Sequence, residues 1–348
     1  MAVGDSRTLT RVVLLWSGVG VLLIAAFIAA LGAVQRAYYS PSGFVTAFAS
    51  SLAAHRIPEA LAMPGAAPTA SALEAAGLPP AASKELLRSD ILPSIRGISV
   101  ASDAEGADGV HTVVVTAQSD GRPVTASFRV RQAGSVLGML PTWEFASTPL
   151  GVSRITVAHA SDFRVGRHTV SPRAASPDQP AGAFSVSADY VVAPLAPLAL
   201  SHASTYVRAT PVATAPTPGR VSETVVDAQP TPAFTAEVQK QVNAFLAACA
   251  AQKVLQPAGC PFGVQIDDRV QGDPSWSMVT DPSVELRPGD DAWQTGQMVG
   301  VAHIDVTVQS LFDGTIAQRS EDVRFSMNLS RVTIRPDGSL AIVVAQDP

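Results

Sequence analysis

The sequence predicts an α+β fold: one N-terminal transmembrane helix, then two helix-on-antiparallel-sheet modules separated by a small β module. Three observations lead to this prediction. Residues 12–34 form an uncharged apolar run, two later segments open with a Ser-Pro or Thr-Pro helix start, and each of those helices precedes several strand-like runs. A helix followed by an antiparallel sheet, twice on one chain, is an α+β plan.

The apolar run, residues 12–34, contains no Asp, Glu, Lys or Arg, and a helix of this length would cross a hydrocarbon core of about 30 Å. Arg7 and Arg11 precede it, so the positive-inside rule predicts a cytoplasmic tail at residues 1–11 and an extracytoplasmic C-terminal region. The alternative is a cleavable signal peptide, whose apolar region is normally about 7–15 residues long. We therefore expect a single-pass, signal-anchored protein of the cell membrane.

The first α+β module is predicted at residues 40–150. Ser40 and the proline after it start a helix, and Phe44 and Phe48 begin its apolar stripe at four-residue spacing. Alternating apolar and polar residues flank Asp120 and the glycine that follows it. This pattern predicts a β-hairpin, because Asp-Gly suits a two-residue turn.

The second α+β module is predicted at residues 234–348. Thr231 and the next proline start its helix, and Asp313-Gly314 and Asp337-Gly338 mark two later hairpin turns. The apolar stripe of the helix is Val238, Val242, Phe245 and Cys249. The order of helix and strands repeats that of the first module.

The two helices also resemble each other in sequence. Residues 45–57 align without gaps on residues 242–254, sharing Val, Ala, Phe and an Ala-Ala pair, and their apolar positions coincide. Ala-rich helices match by chance fairly often, but the shared order of elements indicates an internal repeat.

Two segments separate the modules. Residues 151–206 are poor in helix signals and predict the small β module. Residues 207–233 are rich in proline, alanine and threonine, which predicts a stiff extended linker or, in part, an edge strand.

The two cysteines, Cys249 and Cys260, both fall in the predicted extracytoplasmic region. An even number outside the cytoplasm predicts one disulfide, and two buried free thiols are the alternative. A zinc site is excluded, because no CxxC motif or neighbouring histidine accompanies them.

Composition excludes several function classes. The chain has a formal net charge of −5 and its lysines are Lys84, Lys240 and Lys253, which argues against nucleic-acid binding. No GxSxG, SxxK, HExxH, GxGxxG or P-loop motif occurs, and no two of the six histidines lie within four residues. We therefore predict no catalytic, cofactor-binding or metal-binding residues, and we favour a non-enzymatic role over an enzymatic one.

Two tryptophans, Trp276 and Trp293, flank a long polar segment predicted as a loop. Loop tryptophans can anchor a binding partner, and they can equally close the open end of a sheet. We name both as possible binding-loop anchors and keep both interpretations open.

The residues 44–65, with the hairpins that follow, and residues 245–263 resemble the NTF2-like/cystatin-like α+β modules of uncharacterised single-pass envelope proteins of actinobacteria. The resemblance implies a fold and a compartment and carries over no catalytic residue. The expected function is a membrane-anchored, non-catalytic extracytoplasmic binding or scaffold protein, whose partner is another envelope protein or the cell wall. Self-association is possible, and the alternatives are a cell-wall-modifying hydrolase or a component of a conjugation or secretion channel.

Overall fold

The computed structural model describes residues 14–26, 39–136, 140–180, 183–335 and 337–345. Of these residues, 44% lie in strands and 19% in helices. The predicted α+β class is therefore wrong, because the described chain is mostly β-sheet. Part of the strand content that the sequence did not predict lies in residues 207–233, which it predicted as a linker.

The predicted transmembrane helix is also corrected. Within the residues that the structure covers, no helix is both long and apolar enough to span a membrane. Residues 14–26 are helical and belong to helix α1. The remainder of the predicted span, residues 12–13 and 27–34, and the predicted tail, residues 1–11, lie outside the described residues.

The first module is a helical layer on a four-stranded antiparallel sheet. Its elements are α2 (Pro41–Ala53), α3 (Ile57–Leu61), α4 (Ala70–Ala75), β1 (Ile95–Glu105), β2 (His111–Ser119), β3 (Arg122–Val136) and β4 (Leu140–Phe145). The Ser40 hydroxyl caps α2 by accepting a hydrogen bond from the Gly43 N–H. The strands follow one another as a meander, β1-β2-β3-β4, and the hairpin predicted at Asp120 is confirmed as the turn between β2 and β3.

The middle of the chain folds as two small sheets. Its elements are β5 (Gly151–Ala158), β6 (Phe163–Val165), β7 (His168–Val170), α5 (Pro172–Ala175), β8 (Ser185–Val192), β9 (Ala199–Ala203), β10 (Val207–Ala213), β11 (Val221–Asp227) and β12 (Gln229–Pro230). One sheet has the order β11-β5-β8, with β11 parallel to β5, and the other has the order β12-β10-β9-β6-β7.

The segment predicted as a Pro-rich linker, residues 207–233, contains three of these strands. Pro211 lies in the irregularity of β10 between Ala209 and Val212, where the missing N–H costs no ladder hydrogen bond. The prolines are thus compatible with strand structure, and the segment contributes strands to both small sheets of the middle of the chain.

The second module repeats the plan of the first. Its elements are α6 (Pro232–Ala250), β13 (Arg269–Thr280), β14 (Leu286–Pro288), β15 (Trp293–Thr295), β16 (Met298–Gln309), β17 (Ile316–Ile334) and β18 (Leu340–Ala345). Strands β13, β16, β17 and β18 form an antiparallel meander like β1–β4. The short hairpin β14–β15 follows β13 in the sequence and joins the sheet through the pairing of β15 with β17.

Two hydrophobic cores hold these units together, and the middle of the chain contributes to both. Val152 and Val191 belong to the core of the first module, whereas Ile155 and Val157 belong to a core that continues into the second module. Successive residues of a strand point to opposite faces of the sheet. One face of β5 therefore packs in the core of the first module, and the other face packs in the core shared with the second module.

Candidate functional site

A cleft of ≈ 160 Å³ lies between helix α6 and strands β17 and β18 of the second module. Its lining residues are Gln241, Val242, Phe245, Met327, Leu329, Ile342 and Val344. Of the lining side chains that the structure describes, Gln241 alone is polar, so the cleft is suited to an apolar group rather than to a charged one.

The position of α6 on the sheet forms one wall of the cleft. Thr231 caps the helix, and the side chains of Val238 and Leu246 are buried against the sheet. Gln241 and Phe245 are half-buried and one helical turn apart, at the edge of this contact. The helix thus presents a pair of side chains to the cleft while its buried stripe fixes its distance from the strands.

Hydrogen bonds and a disulfide outside the cleft fix helix α6 in place. The side-chain amide of Gln239 donates to the Pro282 carbonyl and accepts from the Val284 N–H, both at 2.9 Å. At the other end, the predicted disulfide between Cys249 and Cys260 is confirmed, with a Cα–Cα separation of 5.8 Å in the usual range. Helix α6 is therefore fixed on the module by contacts of residues that do not line the cleft.

The polar group at the cleft is the amide of Gln241. Its Nε2 donates a hydrogen bond of 3.1 Å to Glu237 Oε1, one helical turn towards the N-terminus. Among the described residues, the lining thus presents one amide and no ionisable side chain, an arrangement suited to binding and orienting an apolar group.

The first module fills the corresponding space with aromatic rings. Extending the gapless helix alignment by one residue places Phe44 opposite Gln241, and Phe48 lies opposite Phe245. The ring centroids of Phe44 and Phe48 are each 5.0 Å from that of Phe145, and Phe48 also contacts Phe128 at 5.9 Å. In the second module the strand residues facing the cleft are Met and aliphatic side chains, so the space stays open. The cleft residues were missed in the sequence, although the Phe-to-Gln difference was a signal for them.

The two tryptophans named as possible anchors are packed inside the protein. Trp276 is buried against Phe262 at 5.0 Å, and its indole N–H donates to the Val254 carbonyl at 2.8 Å. Trp293 is 1% exposed and contacts His159 and Phe184 of the middle unit and Phe234 of α6. These contacts favour the interpretation that the indoles close and join parts of the core.

His303 is the centre of a polar cluster on the outer face of the second sheet. Its Nδ1 lies 2.6 Å from Asp322 Oδ1, its Nε2 lies 3.0 Å from the Ser320 hydroxyl, and Asp305 is 3.5 Å away. The order Ser-His-Asp is that of a hydrolase triad. Asp322 accepts a hydrogen bond from the imidazole and raises the pKa of His303, and the Asp322 side chain is 60% exposed, so the three groups lie on an open sheet face.

Two pairs of neighbouring aspartates, Asp267-Asp268 and Asp290-Asp291, lie in loops of the second module. Asp268 accepts a hydrogen bond from the Leu311 N–H at 3.3 Å, and Asp291 is ion-paired with Arg331. Among the described residues, no group of three or more His, Cys, Asp or Glu side chains is arranged to hold a metal ion.

Comparison of the chain with protein-family models, with curated proteins and with solved structures gives no match. The resemblance to NTF2-like/cystatin-like envelope proteins stays a prediction.

Proposed function

We propose that this chain is an extracytoplasmic, non-catalytic scaffold protein whose second module binds one apolar side chain of a partner in the cleft between α6 and β17–β18. The observation that carries the proposal is the difference between the two modules. In the first, Phe44 and Phe145 close the space beneath the helix; in the second, Gln241 and aliphatic side chains leave it open.

The size of the cleft supports a side chain rather than a cofactor. A cavity of about 150 Å³ lined by Leu, Ile and Phe holds one benzene molecule, whereas sites for drug-sized ligands are about 300–1,000 Å³. The cleft of ≈ 160 Å³ thus matches a single ring or a branched aliphatic side chain.

The compartment is supported by the disulfide between Cys249 and Cys260, since such bonds form and persist in oxidising environments. We expect both cysteines to resist thiol alkylation in acid-quenched cells until a reductant is added. Alkylation of both cysteines without a reductant would place the domains in a reducing compartment and contradict this part of the proposal.

Benzene binding to the full-length protein tests the cleft. We expect benzene to raise the melting temperature of the second module and to shift NMR signals of the methyl groups that line the cleft. The variant Gln241→Phe, which places the residue of the first module in the cleft, should lose this response. Ala247→Phe is the matched control, because Ala247 is exposed on the opposite side of α6, and it should keep the response. Absence of benzene binding to the unmodified protein would contradict the proposed function.

A further inference from the structure

The hairpin between β16 and β17 ends in an exposed apolar tip. Phe312 is 99% exposed and Leu311 is 72% exposed, and Ile316 at the start of β17 is also exposed. A phenylalanine with its whole ring in water is unfavourable for an isolated protein, and exposed apolar groups of this kind are typical of contact sites.

The tip is an ordered loop. The Ser310 hydroxyl accepts from the N–H groups of Phe312 and Asp313, and the Gly314 N–H donates to the Ser310 carbonyl. Gly314 has a φ of +76°, a conformation that favours glycine, and the Asp313 carboxylate accepts from the Thr315 N–H at 3.1 Å. The loop thus holds the phenylalanine outward at little further entropic cost on binding.

We propose that Phe312 of one copy inserts into the α6/β17–β18 cleft of a second copy, so that the chain associates head to tail with itself. This inference rests on the proposed function and names the partner of the same site. The cleft has the volume of one benzene-sized ligand, and the tip presents one fully exposed benzene ring.

The two surfaces cannot meet within one copy. Phe312 precedes the start of β17, whereas Met327 and Leu329 line the cleft near the far end of that strand. At about 3.3 Å per residue the separation is roughly 35 Å. Reciprocal insertion of the two tips would close a two-fold dimer, whereas one-way, head-to-tail insertion is heterologous and continues into a ring or an open filament.

The charges beside the tip favour a protein cleft over a lipid surface. Hydrogen bonds from Thr315 lower the pKa of Asp313 to about 2, so this carboxylate is ionised at neutral pH. Asp268 lies against the loop at the Leu311 N–H. Docking on anionic lipid is favoured by clustered Lys and Arg, and the carboxylates here would be repelled.

Two variants of the full-length protein, each lacking one surface, test the inference by sedimentation velocity. The unmodified protein should show a sedimentation coefficient that rises with concentration, and both Phe312→Ser and Gln241→Phe should lose this rise. Val299→Ser removes another exposed apolar side chain and should keep it. An equimolar mixture of the two deficient variants should form a dimer and nothing larger, because one variant keeps the cleft and the other keeps the tip. A variant that had merely unfolded could not restore association in this way.

Three outcomes would overturn the inference. They are an unmodified protein that stays monomeric throughout the series, a Phe312→Ser variant that associates like the unmodified protein, and a mixture that does not dimerise. Loss of binding to vesicles of phosphatidylglycerol in Phe312→Ser, without any self-association of the unmodified protein, would assign the tip to lipid instead. If the cleft binds benzene while the protein stays monomeric, the proposed function stands and this inference alone fails.

Discussion

The two modules of this chain share one plan and differ in how the space under the helix is filled. In the first module, Phe44 and Phe48 of α2 pack on Phe145 at 5.0 Å and complete a closed core. In the second, Gln241 and Phe245 of α6 border a cleft of ≈ 160 Å³. The comparison teaches that two modules of one plan can differ in whether the space beneath the helix is packed or left as a cleft.

The largest expected difference between the modules concerns the aligned phenylalanines. Phe48 is fully buried between Phe128 and Phe145, so Phe48→Ala should lower the free energy of unfolding by about 3–5 kcal/mol. Phe245 is half-buried beside an existing cleft, so Phe245→Ala loses fewer contacts and should cost about half as much. Urea denaturation of the two variants, followed by tryptophan fluorescence and circular dichroism, measures the difference.

Equal losses in the two variants would contradict the comparison, because they would mean that the second helix is packed as tightly as the first. A matched control is Ala247→Gly on the exposed side of α6, which should cost about 1 kcal/mol through helix propensity alone.

The parts of the fold that the sequence predicted depend on local signals. The helix starts at Ser40 and Thr231 and the turn at Asp120 are each decided by residues within a few positions of one another. The parallel pairing of β11 with β5 joins residues about seventy positions apart, as in the contact of Ser153 with Thr224, and has no local signature.

The cleft could not be predicted for the same reason. Whether space remains beneath α6 depends on side chains of β17 and β18, about a hundred residues further along the chain. The helix alignment showed Gln where the first module has Phe, but a larger residue on a strand would have filled the gap. Trp293 likewise reads as a loop residue, yet β15 carries it into contact with His159 of the middle unit.

The disulfide gives the next largest expected effect and is specific to the second module. Replacing both cysteines, Cys249→Ala with Cys260→Ala, should lower the stability of that module by about 2–3 kcal/mol, since the closed loop is short. Calorimetry should show a lower melting temperature for the second module and an unchanged melting temperature for the first module. A reductant should then have no further effect on the double variant, and a double variant as stable as the unmodified protein would show that the bond does not stabilise α6.

Exchange of the residue pair that distinguishes the modules sharpens the comparison further. Gln241→Phe fills the cleft and should raise the stability of the second module by about 0.5–2 kcal/mol. The reverse change, Phe44→Gln, removes the ring contact with Phe145 and should destabilise the first module. Destabilisation by Gln241→Phe would mean that the cleft is too narrow for a ring, which would count against both the benzene result and the insertion of Phe312.

The smallest expected effect concerns a feature that both modules share. Each places a histidine of its central hairpin against a carboxylate of a neighbouring strand, His111 with Asp103 at 2.8 Å and His303 with Asp322 at 2.6 Å. The hydrogen bond with Asp322 raises the pKa of His303 above 6.5 in the folded protein. A raised pKa in the folded state means that the stabilising contribution is fully present below the unfolded value of about 6.5 and is lost as the pH rises through the folded value.

NMR titration of the His303 ring protons checks this expectation. The titration midpoint should lie above the ordinary histidine value and should fall in Asp322→Asn, whereas Asp305→Asn should lower it less, because Asp305 is 3.5 Å from the ring and interacts more weakly. The stability difference between the unmodified protein and Asp322→Asn should accordingly be larger on the acid side of the His303 midpoint than on its alkaline side. An unshifted midpoint in the unmodified protein would contradict the expected effect of Asp322 on the His303 imidazole.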